Sequence, residues 1–206
     1  MKVALEARDL ACVRGDRRLF SGVSFCVDAG EVLQVTGRNG SGKTSLLRIL
    51  CGLSAPEEGA VCWNGADIRT LREEFARELL YIGHQNGIKD DLTAVENLRL
   101  ASMVGGRPAT DDAIDAALRG MGLAGCEDIP CRFLSQGQKR RVALCRLLLA
   151  GRRLWVLDEP YTALDAAAIG TMQETLHRHL DAGGMVILTT HQEVALSARM
   201  RQVHLS

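Results

Sequence analysis

Eight consecutive residues near position 40 have the composition of a phosphate-binding loop. Glycines let the backbone fold around a phosphate chain with successive N–H groups pointing inward, and a helix beginning at the end of the loop adds its positive end. We expect Lys43 to reach the β- and γ-phosphates of a nucleoside triphosphate, and Thr44 to offer its hydroxyl to Mg²⁺. A glycine-rich turn that merely contains a lysine would not need the strand before it and the helix after it. The octapeptide fits GxxxxGK[ST] completely and reads Gly37, Arg38, Asn39, Gly40, Ser41, Gly42, Lys43 and Thr44.

Two acidic residues, Asp158 and Glu159, follow the apolar run Leu154–Leu157. A carboxylate at the end of a buried strand can hold part of a Mg²⁺ shell, which we expect of Asp158. Glu159 would then orient or deprotonate an attacking water. Two acids after a strand are also common at a solvated sheet edge. The phosphate-binding loop upstream favours the catalytic interpretation.

The elements that must position these residues alternate between strands and helices, which is typical of a layered α/β domain. The expected strands are Val3–Leu10, Val23–Val27, Glu31–Thr36, Leu154–Leu157 and Met185–Thr190. The expected helices are Lys43–Cys51, Thr93–Met103, Asp111–Met121 with Thr110 as its cap, and Ser135–Ala150.

With these motifs in place, the chain resembles the ATP-binding subunits of ABC transporters throughout its length. The most specific segment is the signature motif, Leu134–Gln138. Ser135 can cap a helix with free N–H groups, a second anion site far along the chain from the first; alone, an ordinary capped helix would be the better interpretation. The resemblance implies that two ATP molecules are sandwiched in a dimer, in which the γ-phosphate held by one subunit binds the other subunit's Ser135, Gln136, Gly137 and Gln138.

Three further positions match the pattern of the family. The resemblance implies that Gln85 contacts Mg²⁺, so that the metal ligands would be Thr44, Gln85 and Asp158. It also implies that Asp165, in the segment Ala163–Asp165, lies at the dimer interface, and that His191 approaches the γ-phosphate. The expected catalytic group is therefore Glu159 with His191, Lys43 and Gln85.

Two positions depart from that pattern. Most members have glycine where this chain has Gln136, so we expect the backbone there not to need a positive φ. The adenine-stacking aromatic residue of the family is missing, and Arg14-Gly15 occupies its place. The Arg14 guanidinium could stack on the base, or it could be a solvated turn residue; the sequence leaves both open.

A closer resemblance rests on four segments: Leu19–Phe25, Gly83–Lys89, Asp91–Leu98 and Trp155–Asp165. These segments resemble the ATPase subunits of the cytochrome c maturation system, described as haem exporters. This resemblance implies integral membrane permease subunits as partners, a peripheral position on the cytoplasmic face of the bacterial inner membrane, and a role in haem delivery for c-type cytochromes. Whether haem itself is moved stays open, since no haem ligand is evident.

We therefore expect a P-loop NTPase of the ABC type, with a mostly parallel sheet core, an N-terminal antiparallel β subdomain and a helical insertion. The chain should form one domain over residues 1–206, with a core over about 1–88 and 151–206 and a helical subdomain over about 89–150. ATP and Mg²⁺ are the expected cofactors, and hydrolysis would reopen an ATP-closed homodimer.

Two alternative functions are the ATPase subunit of another ABC transporter and an ABC-fold ATPase without a transport role. Proteins of the second kind usually have two cassettes in one chain or a long coiled-coil insertion. A P-loop kinase would not need the signature motif. A GTPase would have a guanine-binding motif such as NKxD, which does not occur in the sequence.

Composition limits the remaining classes. The 206 residues are 47% hydrophobic and 24% charged, and 25 basic residues balance 25 acidic ones, which argues against a general nucleic-acid binder. No charge-free run approaches the roughly 20 residues of a spanning helix, and Met1–Arg8 lacks a signal-peptide core, so we expect a soluble intracellular protein. The seven cysteines, without a CxxC pair, indicate reduced structural thiols. His177 and His179 are expected on a solvated helix surface.

Overall fold

The computed structural model describes residues 4–191 and 199–206. Its first layer is an antiparallel sheet with the strand order β2-β1-β4-β5. Strands β1 and β2 form a hairpin with a turn at Gly15 and Asp16, and both are longer than the sequence pattern predicted. The strands are β1 (Ala4–Arg14), β2 (Arg17–Asp28), β4 (Glu58–Trp63) and β5 (Ala66–Asp67).

The second layer is a five-stranded sheet with the order β6-β7-β8-β3-β9, in which each neighbouring pair is parallel. Strands β7 and β8 are buried along their whole length, as expected of a parallel sheet covered on both faces. The strands are β3 (Glu31–Gly37), β6 (Leu79–Ile82), β7 (Leu154–Asp158), β8 (Met185–Thr189) and β9 (Arg199–Leu205).

Three helices lie between β6 and β7 in the chain and pack on one another, which agrees with the expected helical insertion. Thr93, Thr110 and Ser135 cap them, each accepting a hydrogen bond from the backbone N–H three residues on. These helices are α4 (Ala94–Val104), α5 (Asp111–Gly120) and α6 (Gln136–Ala150). The others are α1 (Lys43–Leu50), α2 (Ile68–Leu71), α3 (Glu73–Glu78) and α7 (Ala166–Asp181), with a 3₁₀ turn at Cys131–Phe133.

The parallel sheet separates two hydrophobic clusters. Trp155 and Leu157 of β7 face the cluster that contains the insertion helices, whereas Leu154 and Val156 face the cluster that contains the antiparallel sheet and α1. This alternation follows from the two-residue period of a strand. The sheet is therefore held from both sides, and the ends of its strands have fixed positions.

The expectation of a solvated surface is wrong for His179. Its ring stacks on Trp155 with the ring centroids 3.6 Å apart and the planes 5° from parallel. Its Nε2 lies 3.2 Å from the carbonyl oxygen of Arg153. Gly184 has no side chain to compete for this space, so the imidazole fits against the backbone. Burial lowers the pKa of His179.

The cysteines agree with the sequence interpretation, because all seven are free thiols and five of them are buried. Within residues 4–191 and 199–206, no helix is both long and apolar enough to cross a membrane.

Candidate functional site

The phosphate-binding loop joins β3 to α1. Gly42 has a φ of 98° and directly precedes the helix, a conformation that L-residues with side chains rarely adopt. A Cβ on Gly42 would also lie 3.0 Å from the ring of Phe20. The local chain therefore needs glycine here for two reasons, conformation and space.

Two polar groups of the loop are arranged around its interior. The Lys43 ammonium donates to the carbonyl oxygens of Gly37 at 2.8 Å and Arg38 at 3.2 Å. The Ser41 hydroxyl is buried and has no hydrogen-bond partner among the described residues. A buried polar group without a partner is unfavourable, and a bound phosphate oxygen would satisfy it.

Asp158 lies at the carboxyl end of β7 and is 3% exposed. Each of its two carboxylate oxygens accepts a hydrogen bond from a threonine hydroxyl. Thr44 Oγ1 donates to its Oδ2 at 2.8 Å, and Thr189 Oγ1 donates to its Oδ1 at 2.7 Å. The structure therefore brings Thr44 and Asp158, 114 residues apart, into direct contact.

Glu159 begins a sharp turn after β7. Its φ is 50°, and its backbone N–H donates to Thr189 Oγ1 at 2.9 Å. Its Oε1 lies 3.5 Å from His191 Nε2, with the Glu159 side chain 19% exposed and the His191 side chain 64% exposed. The two side chains expected to act together are thus adjacent, and the histidine is open to solvent.

Arg140, on the second turn of α6, binds the backbone at Asp158 and Glu159, where the chain turns after β7. It is 3% exposed, and its Nη2 donates to the carbonyl oxygens of Asp158 at 2.9 Å and Glu159 at 2.8 Å. Its Nη1 donates to Gly83 O at 3.0 Å and Asn86 Oδ1 at 3.2 Å. Burial lowers the pKa of Arg140, although the charges of Asp158 and Glu159 oppose that shift. One side chain of the insertion therefore ties together two loops of the site.

Gln85 lies in the loop after β6. In that loop Arg140 contacts Gly83 and Asn86, and Gln85 stands between these two residues in the chain. Its side chain is exposed, and the loop is close to the Asp158–Glu159 turn because both bind Arg140. The loop that carries Gln85 therefore lies next to the site, and no contact between the Gln85 side chain and Thr44 or Asp158 is recorded among the described residues.

The signature motif forms the N-terminus of α6. Ser135 and Gln138 make a reciprocal capping box, with Gln138 N donating to Ser135 Oγ at 3.2 Å and Ser135 N donating to Gln138 Oε1 at 2.8 Å. Gln136 is the first helical residue and has no positive φ, as expected. Ser135 and Gln136 are exposed, so this end of the helix faces outward, and no hydrogen bond recorded among the described residues joins it to the chain's own phosphate-binding loop.

The segment Ala163–Asp165 packs against that same helix end. A Cβ on Gly137 would lie 2.6 Å from the carbonyl oxygen of Ala163, whose φ is 64°. Asp165 caps α7 by accepting from Ala168 N at 2.8 Å. The two segments expected at a dimer interface therefore lie side by side on the surface of one chain.

These residues fit ATP and Mg²⁺. The unpartnered Ser41 hydroxyl and the Lys43 ammonium suit phosphate oxygens, and the hydroxyl of Thr44 with the carboxylate of Asp158 suits a hard cation. Mg²⁺ is usually bound through one or two protein groups plus nucleotide phosphates. No cluster of three or more acidic, histidine or cysteine side chains that could hold a metal alone occurs among the described residues.

Sequence reasoning missed two residues of the site, Thr189 and Arg140. The pair Thr189-Thr190 interrupts an apolar strand just before His191, and that polar pair is a signal that could have been used. An arginine inside a helix carries no comparable signal, because most arginines are exposed.

A family model described as ABC transporter matches residues 20–162. A protein of Nitrosospira multiformis named "Cytochrome c biogenesis ATP-binding export protein CcmA" is 53% identical over 94% of each chain. A protein of the same name from Methylococcus capsulatus is 50% identical over 97% of each. Among solved structures, an ATP-binding subunit of an ABC transporter is 30% identical with a TM-score of 0.80, covering 91% of this chain and 79% of its own. An ABC transporter ATP-binding protein from Pyrococcus furiosus, at 24% identity over 98% of this chain and 97% of its own, shares the fold with a TM-score of 0.84. The chain therefore belongs to the ATP-binding subunits of ABC transporters.

Proposed function

We propose that two copies of the chain bind and hydrolyse Mg-ATP between them and so power membrane-spanning partner subunits in cytochrome c biogenesis. The observation that carries the hydrolytic part is the arrangement around Asp158. A hydroxyl of the phosphate-binding loop contacts this buried carboxylate, and the next residue is an acid beside a histidine. That arrangement combines a metal site with an acid–base pair.

In this proposal the loop Gly37–Thr44 holds the phosphate chain. Lys43, which contacts loop carbonyls in the structure, exchanges them for the β- and γ-phosphate oxygens. Thr44, Asp158 and Gln85 are the residues that would hold Mg²⁺, which when bound would neutralise charge on the phosphates. The chain's own side chains carry out the remaining steps, which are the activation of water and the stabilisation of charge on the γ-phosphate.

Glu159 orients and deprotonates the attacking water, since its carboxylate lies one residue beyond the metal site. Its positive-φ turn is held by Thr189 on one side and by Arg140 on the other, so the backbone that carries the carboxylate is fixed. His191 lies against Glu159 Oε1 and stabilises charge on the γ-phosphate.

The second copy completes the site. Its exposed α6 end supplies the N–H groups and hydroxyl that bind the γ-phosphate from the opposite side, and Asp165 lies at the interface. The signature residues involved are Ser135, Gln136, Gly137 and Gln138.

We also propose that each chain consists of a core of about residues 1–88 and 151–206 and a helical subdomain of about 89–150.

A groove between the core and the insertion helices supports docking of a membrane subunit. Its volume is about 910 Å³, and Leu53 and Val104 expose 53% and 81% of their surface at its edge. No acidic residue lines the described part of the groove, whereas five arginines and one lysine do. In a chain with a formal net charge of zero, this favours an amphipathic partner helix with acidic residues. The cations are Arg69, Arg72, Lys89, Arg107, Arg146 and Arg152.

The names of the relatives support cytochrome c biogenesis as the process. Through its partners the chain would lie on the cytoplasmic face of the bacterial inner membrane, and the work done there would serve haem delivery or export. Nucleic acid is not an expected partner, since basic and acidic residues balance.

Purification of the tagged chain from detergent-solubilised membranes tests the partners. Wild type should retain membrane subunits, and haem-dependent c-type cytochrome assembly should fail when Lys43→Ala replaces it. Lys89→Glu should lose the subunits while keeping ATP binding, because Lys89 is an exposed cation of the groove. Arg119→Glu changes an exposed cation on α5 that does not line the groove, and it should keep them. Recovery of membrane subunits of another transport process would replace the cytochrome c assignment, and recovery of none would contradict the transporter role.

A further inference from the structure

Among the phenylalanine, tryptophan and tyrosine side chains of the described residues, only that of Phe133 is exposed. The chain has four phenylalanines, two tryptophans and two tyrosines, all within the described residues, and the other seven are buried or half-buried. Phe133 exposes 70% of its surface. A single exposed apolar residue is common, so its position has to be considered: it stands two residues before Ser135.

The β1–β2 hairpin, which lies beside the phosphate-binding loop, has no exposed aromatic ring to offer the base. Arg14 is exposed at the end of the β1–β2 hairpin, where it pairs with Arg17 across the two strands. Phe20, on the following strand, is 6% exposed and packs against Gly42. That ring supports the phosphate-binding loop and is not free to stack on a base.

The turn that carries Phe133 is well fixed. Phe133 N donates to Pro130 O at 3.0 Å, and Arg132 N donates to Asp90 O at 2.8 Å. The Arg132 guanidinium carbon lies 4.9 Å from the centroid of the Phe133 ring, and its Nη1 contacts Asp91 Oδ1 at 3.0 Å. A cation therefore backs the ring while most of its surface stays open. A platform held in this way loses little conformational freedom on binding.

We propose that Phe133 contacts the purine base of the nucleotide held by the second copy, in place of the aromatic residue missing at position 14. This inference rests on the proposed sandwich, in which Ser135 faces the γ-phosphate of the opposite nucleotide. Two residues of extended chain span about 7 Å, and the phenyl ring adds its own length. Phe133 precedes the helix that Ser135 caps, and from this position its ring can reach the part of the opposite nucleotide beyond the phosphates.

The consequence is that the base is read mainly when the dimer closes. An isolated copy binds through phosphate contacts, which do not distinguish one base from another, and so discriminates weakly between purine and pyrimidine nucleotides. Closure adds the stacking of Phe133, which is stronger for the larger ring system of a purine than for a pyrimidine. Nucleotide selectivity is then a property of the assembled pair.

The test uses the Glu159→Gln chain, which should accumulate the closed dimer. Phe133→Ala and Phe133→Tyr are compared with Ile129→Ala, a nearby apolar residue that is 37% exposed. Two quantities are measured for ATP, GTP, CTP and ribose 5-triphosphate: nucleotide affinity of the dilute monomer, and the nucleotide-dependent dimerisation constant by sedimentation.

Phe133→Ala should leave monomer affinity unchanged and weaken ATP-dependent dimerisation about tenfold or more, with a smaller loss for CTP and none for the base-free triphosphate. Phe133→Tyr and Ile129→Ala should match the parent. An equal loss with ribose 5-triphosphate would mean that Phe133 contacts only protein, and a loss of monomer affinity would mean damage within one chain; either overturns the proposal, as does no loss. A parent that fails to dimerise with any nucleotide would contradict the sandwich itself.

Discussion

Thr189 donates a 2.7 Å hydrogen bond to Asp158 across the neighbouring strands β8 and β7. Thr44 contacts the other oxygen of Asp158, and in the proposed function it turns to the metal. Thr189 is then the group that keeps the buried carboxylate in place while nucleotide binds. It also accepts from the backbone N–H of Glu159, so one hydroxyl positions both acidic residues.

Thr189→Val should therefore reduce kcat about 10- to 100-fold, because a hydrogen bond to a charged group contributes about 1.5–3 kcal/mol. The Mg²⁺ concentration needed for half-maximal ATPase activity should rise as well. Thr189→Ser keeps the hydroxyl and should restore both values. If valine and serine give the same Mg²⁺ dependence as wild type, Thr189 has no positioning role.

Arg140 should be a major contributor to stability. Arg140→Met removes the donors of the carbonyl groups of Asp158 and Glu159 and should lower the free energy of unfolding by roughly 2–3 kcal/mol. Arg141→Met is the matched control on the same helix, since the hydrogen bonds of Arg141 among the described residues are weaker ones, to Gly122 O at 3.2 Å and Met121 O at 3.5 Å. Urea unfolding of both variants checks this, and equal losses would contradict the assignment.

The close approach of Gly137 to the Ala163 carbonyl predicts a contrast between two glycine-to-alanine changes. A methyl group at Gly137 must displace backbone, so Gly137→Ala should destabilise the chain by about 1–3 kcal/mol. Gly170 lies in α7 with open space around it, and Gly170→Ala should stabilise by up to about 1 kcal/mol. Thermal unfolding should therefore shift in opposite directions; shifts of the same sign would show that the contact is not tight.

His179 should make stability depend on pH. Burial lowers its pKa in the folded chain, so the unfolded chain binds the proton more readily. The free energy of unfolding should accordingly fall as pH drops below the ordinary histidine pKa of about 6.5. His179→Phe keeps a ring against Trp155 and should flatten this dependence between about pH 7 and 5. His84→Gln, at an exposed site, should retain the wild-type slope, and three identical slopes would refute the assignment to His179.

Much of the site could be predicted from sequence because its rules are local. The phosphate-binding loop depends on glycines at fixed spacing, and the caps Thr93, Thr110 and Ser135 need only a residue three positions on. Strand β8 was predicted one residue too long, at Thr190, because apolar character alone does not show where pairing with β7 ends.

The contacts that could not be predicted join residues far apart in sequence. Arg140 reaches Gly83 across 57 positions, and Thr189 reaches Asp158 across 31. Such pairs depend on strand order and on how α6 lies against the sheet, and a single sequence does not encode either in a local pattern. The stacking of His179 on Trp155 was missed for the same reason.

The most direct test of the account is the behaviour of Glu159→Gln. Replacing the carboxylate by an amide removes the group that activates water and leaves the phosphate-binding loop unchanged. ATP affinity should match wild type, steady-state hydrolysis should fall at least about 10²-fold, and the ATP-bound dimer should accumulate, whereas Lys43→Ala should fail at binding. Hydrolysis at the wild-type rate by Glu159→Gln would contradict the central claim that Glu159, placed beside Asp158 and His191, is the catalytic base.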